Sequence, residues 1–349
     1  MSPARQVAFD VLRQVEEGGY ASDLLVKLSS DLDSRDAGLA SEIVFGCLRY
    51  QAQLDYLIDR LASGKLDKEV RIALRMGVYQ LRYLDRIPAH AAVSESVELV
   101  KRARKQSAAG LVNAVLRKID RAPVAWPDRA TELSLPFWLE AKWDRQFGPE
   151  TTEQIATAFL KPAETHVAST GRIQDVGAQS VVPMLDLRPG LTLLDLCAAP
   201  GNKTAQALEY GVKAVACDIH WHRLKSLNDL NCHRIVVDAT LDLPFQRHFD
   251  RILVDAPCSG TGTLGRNPEI KWRLQPSDLV ELHRKQAALL RNALMHLNPG
   301  GRLVYSTCSL ETEENQSVIN AIPGSWQVVE RLPGRDEGDG FFVAVLSLS

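Results

Sequence analysis

Two cysteines are the residues in this chain best suited to covalent chemistry. Cys258 lies in the segment Asp-Ala-Pro-Cys-Ser-Gly, and Cys308 lies in Tyr-Ser-Thr-Cys-Ser. Each follows a short apolar run, Arg251–Val254 in the first case and Leu303–Tyr305 in the second, and such runs predict β-strands. Two strands that end at one edge of a sheet would bring both thiols into one pocket. Thiols in such a place can act as nucleophiles.

Three other interpretations of these thiols remain open at this point. A cysteine is often only a small buried apolar residue, which fits Cys47 and Cys232. A disulfide is disfavoured because six cysteines in 349 residues without a signal peptide indicate a reducing cytoplasm. No metal site is expected, because no Cys-x-x-Cys or His-x-x-x-His pair occurs and the eight histidines are scattered.

Length and composition limit the class of protein. With 349 residues, of which 45% are hydrophobic, the chain can form two domains with cores of their own. No apolar run approaches the roughly 20 residues that a membrane span needs, so we expect a soluble protein. The net charge of −2 excludes a strongly basic nucleic-acid binder, although residues 1–125 hold 19 Lys and Arg against 16 Asp and Glu.

The first part of the chain has the periodicity of helices. Apolar residues recur at helical spacing from Val7 to Val15, Leu54 to Leu61, Val70 to Leu81 and Leu111 to Ile119, which predicts an all-α helical bundle. Before the last of these lies the cationic run Lys101–Lys105, either a solvated helix face or a contact to a phosphate backbone. Prolines between Ala122 and Pro136 indicate a linker.

The second half alternates between strands and helices. This alternation predicts a doubly wound, Rossmann-like α/β domain with a largely parallel sheet and two closing strands, Trp326–Val329 and Phe341–Leu346. We expect domains at 1–125 and 183–349, with a linker and small mixed subdomain at 126–182. The earlier strands and the helices are predicted at 191–196, 213–217, 234–237, 251–254 and 302–305, and at 204–209, 220–231 and 277–297, the last capped by Ser277 and stopped by Asn298–Gly301.

Ligands of such domains bind beyond the carboxyl ends of the strands. After the first strand comes a turn of small residues, Cys197–Thr204, which has neither the dinucleotide glycine pattern nor the first glycine of a P-loop. Asp218 ends the second strand, where a carboxylate can accept hydrogen bonds from ribose hydroxyls, and Asp238 ends the third, where it could hold an adenine amino group. These features favour a ligand that contains adenosine but no pyrophosphate.

Three motifs resemble those of the S-adenosylmethionine-dependent RNA 5-methylcytosine methyltransferases. They are the segments 194–204, 255–262 and 305–315. Together with NusB-like segments around Gly46, Leu74 and Leu111, they make the chain similar to the bacterial RsmB family, also called Sun or Fmu. The resemblance covers essentially the whole chain and implies a NusB-like RNA-binding domain followed by a methyltransferase domain. It also implies S-adenosyl-L-methionine as cofactor, held by Cys197, Ala198, Ala199, Pro200, Gly201, Asn202, Lys203, Asp218, Asp238 and Asp255.

The resemblance implies separate roles for the two thiols. Cys308 would add to carbon 6 of cytosine, and Cys258 would assist release of the methylated product. Asp255 is suited to bind the ring nitrogen and amino group, and Lys203 could lower the pKa of a thiol, orient Asp255 or be a surface residue. In DNA cytosine methyltransferases the attacking thiol belongs to a Pro-Cys motif, which here would be Cys258, so the order of the roles is a hypothesis.

The expected partner is RNA. The resemblance implies a cytosine in a small-subunit ribosomal RNA loop, with Ile173, Gln174, Asp175 and the helical domain helping to position the RNA. Arg266, Lys271, Trp272 and Arg273 could contact flanking nucleotides, although Trp272 could instead belong to a core. Asn202 stands where the family usually has a second glycine, and Val343 replaces a more usual aromatic residue. The protein is expected to act as a monomer, without membrane or metal. The alternatives are an amino-group methyltransferase, a methyltransferase for another RNA, or a non-catalytic RNA-binding assembly or antitermination factor.

Overall fold

In a computed structural model, which describes residues 2–348, the chain forms two compact units. The first contains the chain up to Lys161 together with the short segment Asn267–Trp272. The second contains Pro162–Arg266 and the chain from Arg273 onward. None of the helices within residues 2–348 is both long enough and apolar enough to cross a membrane.

The first unit is a helical bundle, as the apolar periodicity predicts. Side chains from its first seven helices fill the core, which includes Ile43, Leu74 and Val112. Gly46 allows two helices to approach closely, since a Cβ atom there would lie 1.9 Å from the ring of Tyr79. The helices are α1 (Pro3–Val15), α2 (Ala21–Leu28), α3 (Ser34–Arg49), α4 (Gln51–Asp59), α5 (Lys68–Tyr83), α6 (Ala89–Arg102), α7 (Ala109–Leu116), α8 (Arg129–Glu132), α9 (Phe137–Phe147) and α10 (Pro149–Phe159).

Helices α2 and α6 were not predicted from the sequence. The cationic run lies at the end of α6, where Lys101 and Arg102 occupy the last turn and complement the helix dipole. Lys101 pairs with Glu98 at 2.6 Å, and Lys105 pairs with Asp67 at 2.8 Å. These ion pairs fit the interpretation of the cationic run as a solvated helix face.

Residues 126–182 divide between the two units. The helices α9 and α10 pack against each other within the first unit, where Trp143 is fully buried and lies 6.2 Å from the ring of Phe159. The residues from Pro162 onward belong to the second unit. Asp175 caps the next helix, α11 (Val176–Gln179), by accepting a hydrogen bond of 2.7 Å from the amide of Gly177.

The second unit is built on a seven-stranded mixed sheet in the order β3-β2-β1-β4-β5-β7-β6. Neighbouring strands from β3 to β5 are parallel, whereas β7 is antiparallel to β5 and β6. The order reverses at β1, and such a reversal opens a crevice at the carboxyl ends of the strands. The predicted Rossmann-like fold is confirmed. The strands are β1 (Thr192–Asp195), β2 (Lys213–Asp218), β3 (His233–Val236), β4 (Phe249–Asp255), β5 (Leu297–Thr307), β6 (Trp326–Arg331) and β7 (Phe341–Ser347).

Helices cover both faces of this sheet. Leu194, Ile252 and Leu303 pack into one apolar core, and Leu193, Leu253 and Val304 pack into the other, as the alternation of side chains along a strand requires. The remaining helices are α12 (Asn202–Leu208), α13 (Trp221–Leu224), α14 (Ile270–Arg273), α15 (Pro276–Leu294) and α16 (Gln316–Asn320).

Two helix predictions were wrong in detail. Residues 220–231 form only α13 and a 3₁₀ turn at Lys225–Leu227, not one continuous helix. Ser277 does not cap α15. Gln275 does, through a capping box with Asp278, and Pro276 occupies the first helical position. The helix ends at Leu294, so Asn298–Gly301 lies inside β5 and does not stop the helix.

The segment Asn267–Trp272 packs within the first unit. Lys271 is buried and donates a hydrogen bond of 2.9 Å to the carbonyl of Arg49, while the Trp272 indole donates one of 2.7 Å to the carbonyl of Leu48. Burial and the neighbouring Arg49 lower the pKa of Lys271 to about 7. Trp272 is only partly buried, but this hydrogen bond favours the alternative interpretation of Trp272 as a residue that packs within the protein.

Candidate active site

A cleft lies at the carboxyl end of β1, where the sheet order reverses. It is partly open and holds about 380 Å³ of empty space, some of which is continuous with solvent. Its wall contains the predicted loop residues Cys197, Ala198, Ala199, Pro200, Asn202 and Lys203, together with Gln174, Ala178, Asp195 and Asp255. The loop begins directly after β1, and its glycine, Gly201, has a φ of 103°, which favours a residue without a side chain. The small-residue turn thus forms one wall of the cleft.

Gln174 presents a polar group to this cleft. Its side chain is only 4% exposed, and neither amide atom has a hydrogen-bond partner among the described residues. An unpaired buried amide costs about 1–3 kcal/mol, so a polar ligand that pairs with it gains correspondingly. The cleft therefore fits a ligand with hydrogen-bonding groups as well as apolar surface. The sequence pointed to Gln174 only through the family resemblance and in connection with RNA.

Asp195, the last residue of β1, lies at the bottom of the same cleft. Its carboxylate accepts a hydrogen bond of 2.7 Å from the hydroxyl of Thr204. Burial, reinforced by the nearby Asp255 carboxylate, raises the pKa of Asp195 to about 7 despite that hydrogen bond. Near neutral pH this group can hold or release a proton.

Three of the predicted cofactor residues lie outside the wall of this cleft. Asp218 ends β2 and accepts a hydrogen bond of 2.9 Å from the amide of His220, which leaves its other oxygen 3.4 Å from Arg223. Asp238 lies two residues beyond β3 and accepts 2.6 Å and 3.0 Å hydrogen bonds from Thr240, which lower its pKa. Gly201 is the third, and its role is in the turn. Their contacts with a cofactor stay predictions.

The two thiols lie side by side, as the sequence predicts. Cys308 directly follows β5, Cys258 follows β4 by three residues, and these adjacent parallel strands place the two Sγ atoms 3.3 Å apart. Both cysteines are free. Gly262 keeps the two loops close, because its amide donates to the Cys308 carbonyl at 2.9 Å and a Cβ atom there would lie 2.8 Å from that same oxygen.

Asp255 ends β4 beside the thiols and is held from two sides. Its carboxylate accepts hydrogen bonds of 2.7 Å from the Lys203 ammonium and 2.8 Å from the Ser306 hydroxyl. Burial lowers the pKa of Lys203, but the charge and hydrogen bond of Asp255, together with Cys308 and Asp195, outweigh it, and the pKa is raised overall. Lys203 is only 12% exposed. Lys203 is thus not a surface residue, and it can orient Asp255.

The surroundings of Cys258 disfavour its thiolate. The adjacent Cys308 sulfur, burial and the Glu314 carboxylate raise the pKa of the Cys258 thiol well above its usual range. Since a thiolate is the nucleophilic form of cysteine, Cys258 is a poor first attacker in this state. The ammonium of Lys203 interacts electrostatically with Cys308.

The residues predicted to contact RNA after the Cys258 loop have partners within the protein. Arg266 forms ion pairs with Asp339 at 2.7 Å and Asp175 at 2.8 Å. Lys271 and Trp272 are held by the backbone of the first unit, as described above. The polar groups of Arg266, Lys271 and Trp272 thus bind protein partners, and contacts of these residues with flanking nucleotides stay a prediction.

Within the described residues 2–348, no group of His, Cys, Asp and Glu side chains is arranged to hold a metal ion. What the site offers is two free thiols, an oriented carboxylate, an ammonium and a cleft with an unpaired amide.

Solved structures share this fold. The crystal structure of PH0851 covers 99% of this chain and 99% of its own, with a TM-score of 0.81 and 21% sequence identity. The structure of a methyltransferase homologue from Pyrococcus horikoshii covers 64% of this chain and all of its own, with a TM-score of 0.54 and 23% identity. At these identities the likeness concerns the fold alone.

Sequence comparisons identify the family. A model described as 16S rRNA methyltransferase RsmB/F matches residues 182–330, and a model of the NusB family matches residues 2–121. Ribosomal RNA small subunit methyltransferase B from Klebsiella pneumoniae (strain 342) is 33% identical, with 98% of this chain and 97% of the relative covered. The protein of the same name from Escherichia coli O17:K52:H18 is 32% identical, with 98% of both chains covered. This chain, with its NusB domain and its methyltransferase domain, belongs to the RsmB family.

Proposed function

We propose that this chain transfers a methyl group from S-adenosyl-L-methionine to carbon 5 of a cytosine in RNA, most specifically in small-subunit ribosomal RNA. The observation that carries the proposal is the pair of free thiols, 3.3 Å apart, beside the Asp255–Lys203 ion pair at the edge of the cleft. The curated relatives named above are ribosomal RNA small subunit methyltransferases, which supports the choice of substrate.

The cleft provides groups suited to the cofactor. When bound, S-adenosyl-L-methionine supplies an electrophilic methyl group. Gln174 can pair with its polar groups, and the loop from Cys197 to Lys203 lets it approach the backbone closely. Asp218 is suited to ribose hydroxyls, and Asp238 to an adenine amino group. Asn202 tolerates its place in the loop because it begins α12 and donates a hydrogen bond of 3.0 Å to the Ile173 carbonyl.

Cys308 is the proposed nucleophile. Carbon 5 of cytosine is a weak nucleophile, and addition of the Cys308 thiolate to carbon 6 turns carbon 5 into an enamine-like centre. Asp255 can accept a hydrogen bond from the amino group through a lone pair that Lys203 and Ser306 leave free. Addition of the thiolate places negative charge on the ring nitrogen. A proton from water neutralises that charge, and the protonated nitrogen can then also donate to Asp255. Lys203 fixes the orientation of Asp255.

Cys258 is the proposed releasing group. After carbon 5 has been methylated, a base must take its remaining proton. The electrons of that C–H bond then re-form the ring double bond, and Cys308 leaves carbon 6 as a thiolate. Cys258 lies next to Cys308 and therefore next to the adduct. It is the group positioned to assist this elimination.

The target base must reach the thiols from outside its stack. Either an unpaired loop or a flipped nucleotide would satisfy this requirement. We assign RNA positioning to the NusB domain, and we place the protein in the cytoplasm as a monomer.

The direct test is a methyl-transfer assay with radiolabelled cofactor. Ribosomal RNA from a strain that lacks this protein should accept label, and bisulfite sequencing should map a single cytosine. The same RNA should accept no label when it is incubated with Cys308→Ala. Absence of label with both naked RNA and small-subunit particles would instead favour a non-catalytic RNA-binding factor.

A further inference from the structure

Glu314 lies behind the two thiols and is completely buried, with 0% exposure. It precedes α16 and belongs to the second unit, six residues after Cys308. A buried carboxylate is costly unless several donors surround it. Its partners are therefore informative.

The carboxylate of Glu314 binds the residue that follows each thiol. One oxygen accepts hydrogen bonds from the Ser259 amide at 2.8 Å and from Gln286 at 2.9 Å. The other accepts from the hydroxyls of Ser259 and Ser309, the latter at 2.5 Å. Four donors face the four lone pairs of an ionised carboxylate. Glu314 thus joins the Cys258 loop to the Cys308 loop.

Further hydrogen bonds hold the chain just before each thiol. Gln286 also donates to the carbonyl of Pro257, the residue before Cys258, at 2.9 Å. Tyr305, three residues before Cys308, donates to the backbone carbonyl of Glu314 at 2.6 Å. Both loops are therefore fixed to Glu314 and its direct partner Gln286.

We propose that Glu314 is a positioning residue that fixes the two sulfurs relative to each other by tying Ser259 to Ser309. The role in catalysis rests on the proposed two-thiol function, because only that chemistry needs both sulfurs at one base. The Glu314 charge also lies close enough to raise the pKa of Cys258, which helps to keep Cys258 protonated while Cys308 attacks.

The first test measures geometry without any RNA. Diamide removes two electrons and two protons from a pair of thiols, which then form one S–S bond, while diamide becomes the hydrazine. In the natural chain the Cys258–Cys308 bond should form readily, as mass spectrometry of unreduced peptides would show. Glu314→Ala should slow its formation by about tenfold or more, because the bond requires a narrow range of geometry.

Two further variants separate positioning from folding. In Glu314→Gln the hydroxyls of Ser259 and Ser309 can turn and accept from the new amide, so this variant should keep most of the cross-linking rate. Glu281→Gln, on the exposed side of α15, should match the natural chain. Affinity for S-adenosylhomocysteine checks that each variant is folded, and Ser309→Ala replaces Glu314→Ala if the latter fails that check.

The second test uses turnover. Glu314→Ala should lower kcat for methyl transfer by about 100-fold, since a displacement of about 1 Å can cost that much, while KM for cofactor and RNA changes little. Cross-linking in Glu314→Ala at the natural rate would overturn the proposal, whatever the activity. If the natural chain cross-links but methylates no RNA, the proposed function fails, and the positioning of the thiols is still decided by the cross-linking comparison.

Discussion

Asp195 should make the stability of the second unit depend on pH. Its pKa is about 7 in the folded chain, against an ordinary value of about 3.9 in the unfolded chain. Between these values the folded state keeps a proton that the unfolded state has lost. The resulting stabilisation is complete below the unfolded pKa and disappears as the pH rises through the folded pKa.

The size of this effect follows from the pKa difference. At pH 5 the folded-state pKa of Asp195 lies about two units above the pH, and each unit corresponds to about 1.4 kcal/mol. The free energy of unfolding should therefore fall by about 3 kcal/mol between pH 5 and pH 8 through this group alone. Asp195→Asn, which cannot ionise, should lack this part of the decrease and still accept the Thr204 hydrogen bond.

Urea unfolding at pH 5 and pH 8 measures the difference. Peptides from β1 and β4 report the second unit specifically when hydrogen exchange is used as the readout. Comparison of the natural chain with Asp195→Asn cancels other titrating groups, including Asp339, whose pKa burial raises to about 6. The same decrease with pH in both proteins would refute the reasoning about Asp195.

Three more changes have defined outcomes. Lys203→Met removes the 2.7 Å partner of Asp255 and should lower kcat for methylation by about 100-fold or more, whereas Lys213→Met, at an exposed position, should not. Single-turnover methylation measures the difference, and an unchanged kcat in Lys203→Met would contradict the role given to the ion pair. Gly262→Ala should lose about 1–3 kcal/mol of stability, because the new Cβ meets the Gly340 and Cys308 carbonyl oxygens at 2.4 and 2.8 Å, whereas the Cβ in the control Gly38→Ala meets no atom. Equal melting temperatures for the two variants would argue against this tight approach. Gln174→Ala should weaken the binding of S-adenosylhomocysteine about tenfold in calorimetry, and Gln327→Ala, at an exposed position, should leave this affinity unchanged. The role given to Gln174 fails if both variants bind S-adenosylhomocysteine with the same affinity.

Much of the fold could be predicted from apolar patterning. Six of the seven strands were predicted close to their limits because short apolar runs bounded by turn residues are typical of strands. The β5 prediction began five residues late, since Asn298–Gly301 has the composition of a turn and extends the strand only through its pairing in the sheet. Helix α6 was missed because its buried positions include Ala92 and Ser96, which carry little apolar signal.

The site could be predicted in part. Strand ends determined that Cys258 and Cys308 would converge, because neighbouring parallel strands end at the same edge. The partners of Lys271 could not be predicted, since its short segment packs in the first unit although its neighbours in sequence do not. Glu314 lies in the motif at 305–315, but its role depends on the arrangement of Ser259, Gln286 and Ser309 in space.

Cys308 is the proposed attacker of the base, and Cys258 is proposed to assist release of the methylated product. Incubation of Cys258→Ala with RNA and S-adenosyl-L-methionine, followed by denaturing electrophoresis, tests this order directly. A covalent protein–RNA adduct should accumulate with Cys258→Ala and should be absent with Cys308→Ala. An adduct that accumulates with Cys308→Ala and not with Cys258→Ala would contradict it.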